Sequence, residues 1–317
     1  MNSQAYLMDY FVGVTDNSWF DFLSKLQPDE VNFWRPSGKN FQAIPIGAPF
    51  LFKLHSPLNY IAGGGFFVRS EQLPLSLAWE AFSEKNGAAS YSELMNLIRS
   101  HRPGKEINPQ IGCVILNEPF FLPKEKWIPV PEDWSHNIVI GKTYNTSNSI
   151  GAQLWDDVMR QLSVSSYMKN RISDVRELYG ANAEIIGRQY LIKSRLGQGA
   201  FRILVTGAYF RRCAISGEKT LPVLEAAHIK PHAESGPNRI DNGVLLRSDL
   251  HKLFDKGYLT VTPDLHVEVS QKIKEEFDNG KNYYPFHGNK LLILPRQAYE
   301  KPNREYLEWH NSHIYLG

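Results

Sequence analysis

The sequence of 317 residues predicts an α+β fold in two domains that are joined by helices. Up to residue 145, short apolar runs alternate with Gly and Pro, a pattern typical of short strands and turns. From residue 146 to residue 185, apolar residues recur at helical spacing in GAQLWDDVMRQL, which predicts a helical connector. Between residues 186 and 317, LPVLEAAH and GVLLR predict two strands followed by a short helix.

In the first domain, strands are predicted over FQAIPIGAPFLFKLHS, YIAGGGFFV and IGCVILNEPFFL. Two helices are predicted around LPLSLAWEAFSEKNG and SYSELMNLIRS. We expect residues 1–145 to form a compact β-barrel-like domain with inserted helices.

In the second domain, FRILVTGAYF is predicted to be helical, and YLTVT and HVEVS are predicted to form a hairpin with a Pro-Asp turn. The helix after GVLLR is predicted to begin near Ser248, with Ser248 or Asp249 as its cap. Gly257 is predicted to end it, because glycine adopts the left-handed conformation that closes many helices.

The composition indicates a globular chain, with 42% hydrophobic and 12% aromatic residues. No apolar run is long enough to cross a membrane, and the first residues lack the basic start of a signal peptide, so we expect a cytoplasmic protein. Only Cys113 and Cys213 are present, which excludes a disulfide framework or a zinc ribbon of paired CxxC motifs. Any metal must therefore be held by His and carboxylate side chains.

Charge is distributed unevenly along the chain. Residues 1–185 contain 16 Lys and Arg against 19 Asp and Glu, whereas residues 186–317 contain 19 against 14. The excess lies in residues 186–256, with 12 basic and 6 acidic side chains. This pattern is consistent with binding a polyanion, and equally with a solvated surface.

Three residues of the second domain form a pattern that is typical of a catalytic site. His228, Asn242 and His251 are separated by 14 and 9 residues and fall on the predicted strand, loop and helix. With the flanking CAISG, AAHIKP, DNGVLL and LHKLFDKG, this order resembles the HNH endonuclease family over residues 213–262. That family has a ββα-metal unit, a two-stranded hairpin followed by a helix, and it hydrolyses phosphodiester bonds.

The resemblance implies a role for each matched residue. His228 would be the general base, because a neutral imidazole accepts a proton near neutral pH. Asn242 would hold the loop that aims His228. His251 and Asp255 lie four residues apart, so on a helix they share one face and can bind one cation together.

Ala227 occupies the position before the base, where many family members have Asp or His. In an extended strand Glu225 lies on the same side as Ala227, so Glu225 could supply the missing ligand. Alternatively there is no third protein ligand, because a hard ion keeps waters and accepts phosphate oxygens instead. The expected cofactor is a divalent ion: Mg, Mn, Ni or Co.

Several basic residues flank the motif, and we expect some of them to contact the phosphates of double-stranded DNA. These candidates are Arg202, Arg211, Arg212, Lys230, Arg239, Arg247 and Lys252. Three other polar residues of the motif are predicted to be structural. His232 is expected at the loop surface, Asp241 in the turn before Asn242, and Asp249 at the helix start.

The first domain, through VNFWRPSGKNFQAIPIGAPFLFKLHSPLNYIAGGGFF, is similar to the PUA-like superfamily, which includes EVE, ASCH and SRA-type nucleic-acid readers. This resemblance implies recognition of a modified base that is flipped into an aromatic pocket. The candidate pocket residues are Phe33, Trp34, Arg35, Ser37, Asn59, Tyr60, Trp79 and Phe82. For any single one of these aromatic side chains, packing in the core is the more common role.

Together the two resemblances indicate a modification-dependent restriction endonuclease, which would be type IV-like. It would act on DNA carrying modified bases, possess no membrane segment and cut both strands as a homodimer or by sequential nicking. Two alternatives stay open. The first domain could recognise unmodified DNA or RNA, or the chain could be a DNA-binding module with a weak nuclease site.

Overall fold

The computed structural model describes residues 8–37, 40–162, 189–191 and 196–317. The chain divides into two compact units, unit 1 over residues 1–194 and unit 2 over residues 195–317. The part of the predicted connector beyond Leu162 lies outside the described residues. Within the described ranges, no helix has the length and apolar content that a bilayer crossing requires.

Unit 1 consists of one mixed sheet with helices inserted between its strands. Its strands are β1 Asp9–Thr15, β2 Glu30–Arg35, β3 Pro49–Leu54, β4 Tyr60–Pro74, β5 Gln110–Phe121, β6 Ile128–Pro129 and β7 Gly141–Asn145. Its helices are α1 Asn17–Leu26, α2 Leu75–Phe82, α3 Tyr91–His101 and α4 Ser149–Leu162. The predicted helical passages between β4 and β5 are confirmed as α2 and α3.

The sheet is open rather than closed. Its strands follow the order β2-β5-β4-β3-β1-β7, with the short β6 beside β4. β1 and β3 run parallel, and the other pairs are antiparallel. Strands β2 and β7 end this path, so no closed barrel forms among the described residues. The expectation of a barrel is therefore corrected to that of an open seven-stranded sheet.

Aromatic rings fill the core of unit 1. All six residues of β3 are buried, which explains why its sequence PFLFKL lacks the alternation of a half-exposed strand. Phe50 and Phe52 contact the ring of Phe33 on β2, with centroids 4.8 and 6.4 Å apart. Trp19 of α1 meets Phe33 and Phe52 edge-on, so α1 is anchored against the sheet.

Helix α1 was missing from the sequence-based prediction, although its start carries a readable signal. Asp16 adopts an extended conformation, and its carboxylate accepts hydrogen bonds from the backbone N–H groups of Ser18 and Trp19. An N-cap of this kind satisfies donors that have no partner within the helix. The helix then buries Trp19, Phe20 and Leu23 on one face.

Unit 2 is built from short elements around two antiparallel strand pairs. The strands are β8 Leu224–His228, β9 Gly243–Arg247, β10 Leu259–Val261 and β11 Val267–Val269. The helices are α5 Gln198–Ala208, α6 Ser248–Asp255, α7 Lys272–Phe277 and α8 Arg304–His313. β8 pairs with β9, and β10 pairs with β11. The predicted helices, strands and hairpin of this region are confirmed, and α7 and α8 are additions.

Helix α6 begins at Ser248 as predicted, but its cap differs from the prediction. Arg247 is the N-cap, and neither Ser248 nor Asp249 caps with its side chain. The Asp249 carboxylate instead accepts two hydrogen bonds from Arg247, at 2.6 and 2.8 Å. Gly257 ends the helix as predicted, with φ of +77° and its N–H donated to the carbonyl of Phe254.

Helix α5 packs closely against the β8–β9 pair. A Cβ atom on Gly243 would lie 2.3 Å from Val205 Cγ2 and 3.0 Å from Phe201 Cε2. Only glycine therefore fits at the first position of β9. This close approach brings the buried ring of Phe201 to the end of β8, where His228 lies.

Candidate active site

The hairpin and the helix that follows it form a continuous ββα unit. The register pairs Leu224 with Arg247 and His228 with Gly243. Helix α6 starts at Ser248, directly after β9, and packs back on β8. This short connection brings α6 side chains next to β8 side chains, although 26 residues separate Glu225 from His251.

His251 lies between two carboxylates. Its Nδ1 is 2.6 Å from Oε2 of Glu225, and its Nε2 is 3.2 Å from Oδ2 of Asp255. Burial disfavours the charged imidazole, but the hydrogen bonds to Asp255 and Glu225 outweigh it and raise the pKa of His251. The Glu225 and Asp255 side chains are 44% and 53% exposed, so the cluster faces solvent.

This donor set suits a divalent ion, because imidazole and carboxylate groups are common ligands of such metals. In their described positions, however, the three side chains bond to one another. Among the residues that the structure describes, no three His, Cys, Asp or Glu side chains surround a common point. Metal binding would therefore replace at least one of the two hydrogen bonds of His251 and release its proton.

His228, at the end of β8, is held by two residues that the sequence-based prediction missed. Its ring stacks on Phe201, with centroids 4.0 Å apart and planes inclined by 13°. Its Nε2 lies 2.8 Å from Oδ1 of Asn238. Burial lowers the pKa of His228 below its usual range, despite the opposing hydrogen bond to Asn238. The imidazole is therefore neutral at pH 7, as a proton acceptor must be.

Asn242 fastens the loop that follows His228. Its Oδ1 accepts the backbone N–H of Lys230, and its Nδ2 donates to the carbonyls of Lys230 and Pro237, each at 2.9 Å. The side chain is fully buried, so all three hydrogen bonds are shielded from water. Both ends of the 230–237 loop are thereby fixed beside His228.

Ala227 is fully buried and faces Val244 across the hairpin. Its methyl group offers no ligand to a metal ion. Glu225, two residues earlier, reaches the His251 side chain instead. Glu225 thus supplies an oxygen donor beside His251, and position 227 supplies none.

The basic candidates differ in their surroundings. Arg239 and Arg247 form ion pairs with Asp241 and Asp249. Lys252 is exposed on α6, whereas Lys230 lies over the ring of Trp309 at 5.3 Å. Arg211 is exposed, and Arg202 and Arg212 are partly buried. Of the seven candidates, Lys252 and Arg211 are the exposed ones.

The remaining polar residues of the motif have structural contacts. His232 is exposed at the start of a short 3-10 turn. Asp241 accepts two hydrogen bonds from Arg239, at 3.0 and 2.7 Å, within the turn before Asn242. Asp249 contacts Arg247, which stabilises the charged carboxylate and lowers its pKa.

Unit 1 contains a cleft of about 790 Å³. Four of the proposed pocket residues line it: Phe33, Trp34, Arg35 and Ser37. The cleft is also lined by residues that the sequence did not single out, namely Asp16, His55, His101 and Arg102. Burial lowers the pKa of Arg35, consistent with a guanidinium that is only partly in water.

The other four pocket candidates do not line this cleft. Phe82 is 2% exposed and belongs to the core. Trp79 contacts Tyr91 edge-on, and Tyr60 lies near Trp127. Asn59 accepts a hydrogen bond from Lys53 Nζ at 2.7 Å. Of the eight predicted pocket residues, the three on β2 and the nearby Ser37 therefore line the cleft.

Comparison with known families identifies the ββα unit. Residues 213–262 match the HNH endonuclease family, and this range contains the β8–β9 pair, the loop between them and α6. Unit 2 therefore contains an HNH endonuclease domain. HNH nucleases generally depend on a divalent metal ion. No curated protein matches the chain.

Solved structures give only partial similarities. The modification-dependent restriction endonuclease TagI aligns with 23% identity over 36% of this chain and 37% of its own, with a TM-score of 0.26. Two mutant forms of ZmASCH from Zymomonas mobilis align with 8% and 9% identity. They cover 46% and 47% of this chain and 95% of their own, with TM-scores of 0.33 and 0.32. The alignment thus spans little more than a third of TagI.

Proposed function

We propose that this chain is a divalent-metal-dependent DNA endonuclease in which unit 1 reads a modified base and unit 2 cuts the phosphodiester backbone. One observation carries the nuclease part. The ββα unit holds a neutral, ring-stacked His228 on β8 and a solvent-facing cluster of one imidazole and two carboxylates between β8 and α6. Phosphodiester hydrolysis requires these two features, a proton acceptor and a cation site.

In this proposal His228 removes a proton from the attacking water. Asn242 keeps the 230–237 loop in place, so that the imidazole does not swing away from the water. Glu225, His251 and Asp255 would hold the divalent ion, which would offset negative charge on the scissile phosphate. The cluster is exposed enough for a backbone phosphate to reach it.

Double-stranded DNA is the proposed substrate, because the charge excess of the chain lies around this motif. Exposed Lys252 is on the same helix as His251 and Asp255. We propose that it contacts a phosphate next to the one that is cut. A single site cuts one strand, so we propose that both strands are cut by a homodimer or in two successive events.

The cleft of unit 1 supports the proposed reading of a flipped base. It combines the partly exposed ring of Phe33 with the polar groups of Arg35 and Ser37, beside the largely buried ring of Trp34. Rings of this kind can stack on a base, and the polar groups can hydrogen-bond to its edge or its modification. We propose unit 1 as an open, PUA-like reader, and the whole chain as a restriction enzyme against foreign modified DNA.

The nuclease proposal is tested with supercoiled plasmid and purified protein in Mg²⁺, Mn²⁺, Ni²⁺ or Co²⁺. We expect nicked and linear DNA with at least one of these ions and intact plasmid after chelation by EDTA. Intact plasmid with all four ions would contradict the proposal. Equal cutting with and without EDTA would contradict the metal site.

The reader proposal is tested with matched plasmids that differ only in base modification: unmodified, methylated, hydroxymethylated or glucosylated. We expect one modified plasmid to be cut faster than the unmodified one. Equal rates on all four would remove modification dependence from the proposal and leave a nuclease with another trigger.

A further inference from the structure

We propose that Asn238 is a positioning residue that fixes the tautomer of His228, with hydrogen on Nε2, so that Nδ1 is the atom that accepts the proton from water. This inference rests on the proposed function, because it assigns the proton transfer to one atom of the proposed base. It is carried by a chain of two hydrogen bonds and one ring contact.

The first link fixes the side chain of Asn238. Its Nδ2 donates to the backbone carbonyl of Leu196 at 2.9 Å. A carbonyl oxygen only accepts hydrogen bonds, so the amide cannot be turned over without placing two oxygens against each other. The amide oxygen Oδ1 therefore faces His228.

The second link fixes the hydrogen on His228. Its Nε2 lies 2.8 Å from Oδ1 of Asn238. An amide oxygen has no hydrogen to donate, so Nε2 must carry the N–H of this bond. A neutral imidazole has one N–H, which leaves a free lone pair on Nδ1. Among the described residues, Asn238 is the hydrogen-bond partner recorded for this ring.

The stacking contact fixes the plane of the ring. Phe201 lies parallel to the imidazole at 4.0 Å, and its own side chain is buried on α5. Gly243 allows α5 to come this close, as argued above. Phe201 sets the plane of the imidazole ring, and the hydrogen bond to Asn238 sets the rotation of the ring within that plane. The lone pair of Nδ1 is therefore aimed in one direction.

The acceptor is an amide and not a carboxylate, which keeps the base neutral. A carboxylate at the same distance would favour the imidazolium strongly, whereas a neutral amide favours it only weakly. The charged neighbours act in both directions on the pKa of His228. Burial has the largest effect and lowers the pKa, and the hydrogen bond to Asn238 raises it. Of the charged neighbours, His232 and His251 lower the pKa and Asp255 raises it.

The proton transfer is balanced within this arrangement. The O–H bond of water breaks as the N–H bond at Nδ1 forms, and the hydroxide oxygen bonds to phosphorus. The bond from phosphorus to the leaving oxygen breaks, and that oxygen takes a proton from solvent. His228, now an imidazolium that donates from both nitrogens, returns its Nδ1 proton to solvent.

The tautomer is measured directly by nitrogen NMR on the full chain labelled with ¹⁵N-histidine. The His228 signals are identified as those lost in the His228→Gln spectrum. We expect a protonated nitrogen shift at Nε2 and an unprotonated one at Nδ1 in the wild-type protein at pH 7.5. A protonated Nδ1 would overturn the inference, whether or not the protein cuts DNA.

The role in turnover is measured by the pH dependence of kcat/KM for plasmid cleavage. We expect Asn238→Asp to move the acidic limb of the profile upward by about one pH unit, because a carboxylate stabilises the imidazolium. Asn238→Ala should lower kcat about tenfold and move the limb to lower pH, since it removes the bond that favours the imidazolium.

Asn289→Ala is the matched control, because the Asn289 amide also donates to a backbone carbonyl in unit 2, that of Pro285. We expect its profile to equal that of the wild type. If both Asn238 variants keep the wild-type profile while His228→Ala is inactive, the positioning role is overturned and the nuclease proposal stands. A wild-type chain that never cuts DNA overturns the proposed function instead.

Discussion

Nδ1 of His251 on α6 lies 2.6 Å from Oε2 of Glu225 on β8. This contact closes the ββα unit on its solvent side, although Ala227 supplies no ligand. The third metal ligand, beside His251 and Asp255, is therefore either the Glu225 carboxylate or a group outside the protein.

Glu225→Gln should weaken Mn²⁺ binding about tenfold or more, because an amide oxygen is a poorer donor and orients the ligating His less well. Isothermal titration of the protein with Mn²⁺ measures this. Glu234→Gln, at an exposed carboxylate in the following loop, is the control and should bind Mn²⁺ as the wild type does. Unchanged affinity in Glu225→Gln would mean that waters and phosphate oxygens complete the site.

The buried His310 predicts a loss of stability in acid. Burial lowers its pKa to about 4, although it donates to the carbonyl of Phe254. The unfolded chain, with a His pKa near 6.5, binds the proton more readily. The stabilisation is therefore present above pH 6.5 and is lost progressively as the pH falls toward 4.

At pH 5 this histidine should account for a loss of about 2 kcal/mol in the free energy of unfolding relative to pH 7.5. Urea unfolding at the two pH values measures the loss, and His310→Gln should remove that part of it. The control is His313→Gln, at an exposed position of the same helix, which should retain the full pH dependence. If His310→Gln lost as much stability between pH 7.5 and pH 5 as the wild type, the loss would not come from His310.

Lys252 predicts a measurable part of the salt dependence of DNA binding. It is exposed on α6 next to the proposed metal ligands. Lys252→Ala should reduce the slope of log Kd against log salt by about 0.9, the value for one phosphate contact. Fluorescence anisotropy with a short duplex between about 50 and 200 mM salt measures it.

A charge-balanced change serves as the control for Lys252. Arg304 and Glu308 form an ion pair on α8, with Nε and Oε1 2.8 Å apart. Replacing both by Ala leaves the net charge unchanged and should leave the slope unchanged. An unaltered slope in Lys252→Ala would place the DNA on another face of unit 2.

Arg35 is the polar group of the unit 1 cleft whose loss should most reduce selectivity. Arg35→Gln should lower the ratio of cutting rates on modified and unmodified plasmid about tenfold, the effect of losing one charged hydrogen bond. Tyr60→Phe, outside the cleft and 41% exposed, should keep the wild-type ratio. A ratio that is unchanged in Arg35→Gln would remove this cleft as the reading site.

Local patterns in the sequence were sufficient for the ββα unit. The apolar GVLLR run, the HKLFD helix and Gly257 each predict their own conformation, and the motif spacing predicts which side chains meet. The helix cap was wrong because Asp249 is engaged by Arg247, an interaction that competes with capping. Asn238 and Phe201 were missed because their contacts with His228 depend on tertiary packing, 10 and 27 residues away along the chain.

In unit 1 the strands β3, β4 and β5 were predictable, but β1, β2, β7 and the closure of the sheet were not. Apolar runs indicate strands without indicating which edges pair, so a barrel and an open sheet have the same local signature. The sequence also does not indicate which of the aromatic pocket candidates line the cleft and which lie elsewhere. Phe82 has an aromatic ring that could stack on a base, yet helix α2 directs this ring into the core.

Plasmid nicking by His228→Ala tests the central claim most directly. The account predicts that this variant cuts about 1,000-fold more slowly than the wild type, the effect of losing a general base, while it binds duplex DNA with unchanged affinity. His232→Ala, at an exposed histidine four residues away, should cut at the wild-type rate. Wild-type turnover by His228→Ala would contradict the assignment of this residue as the base.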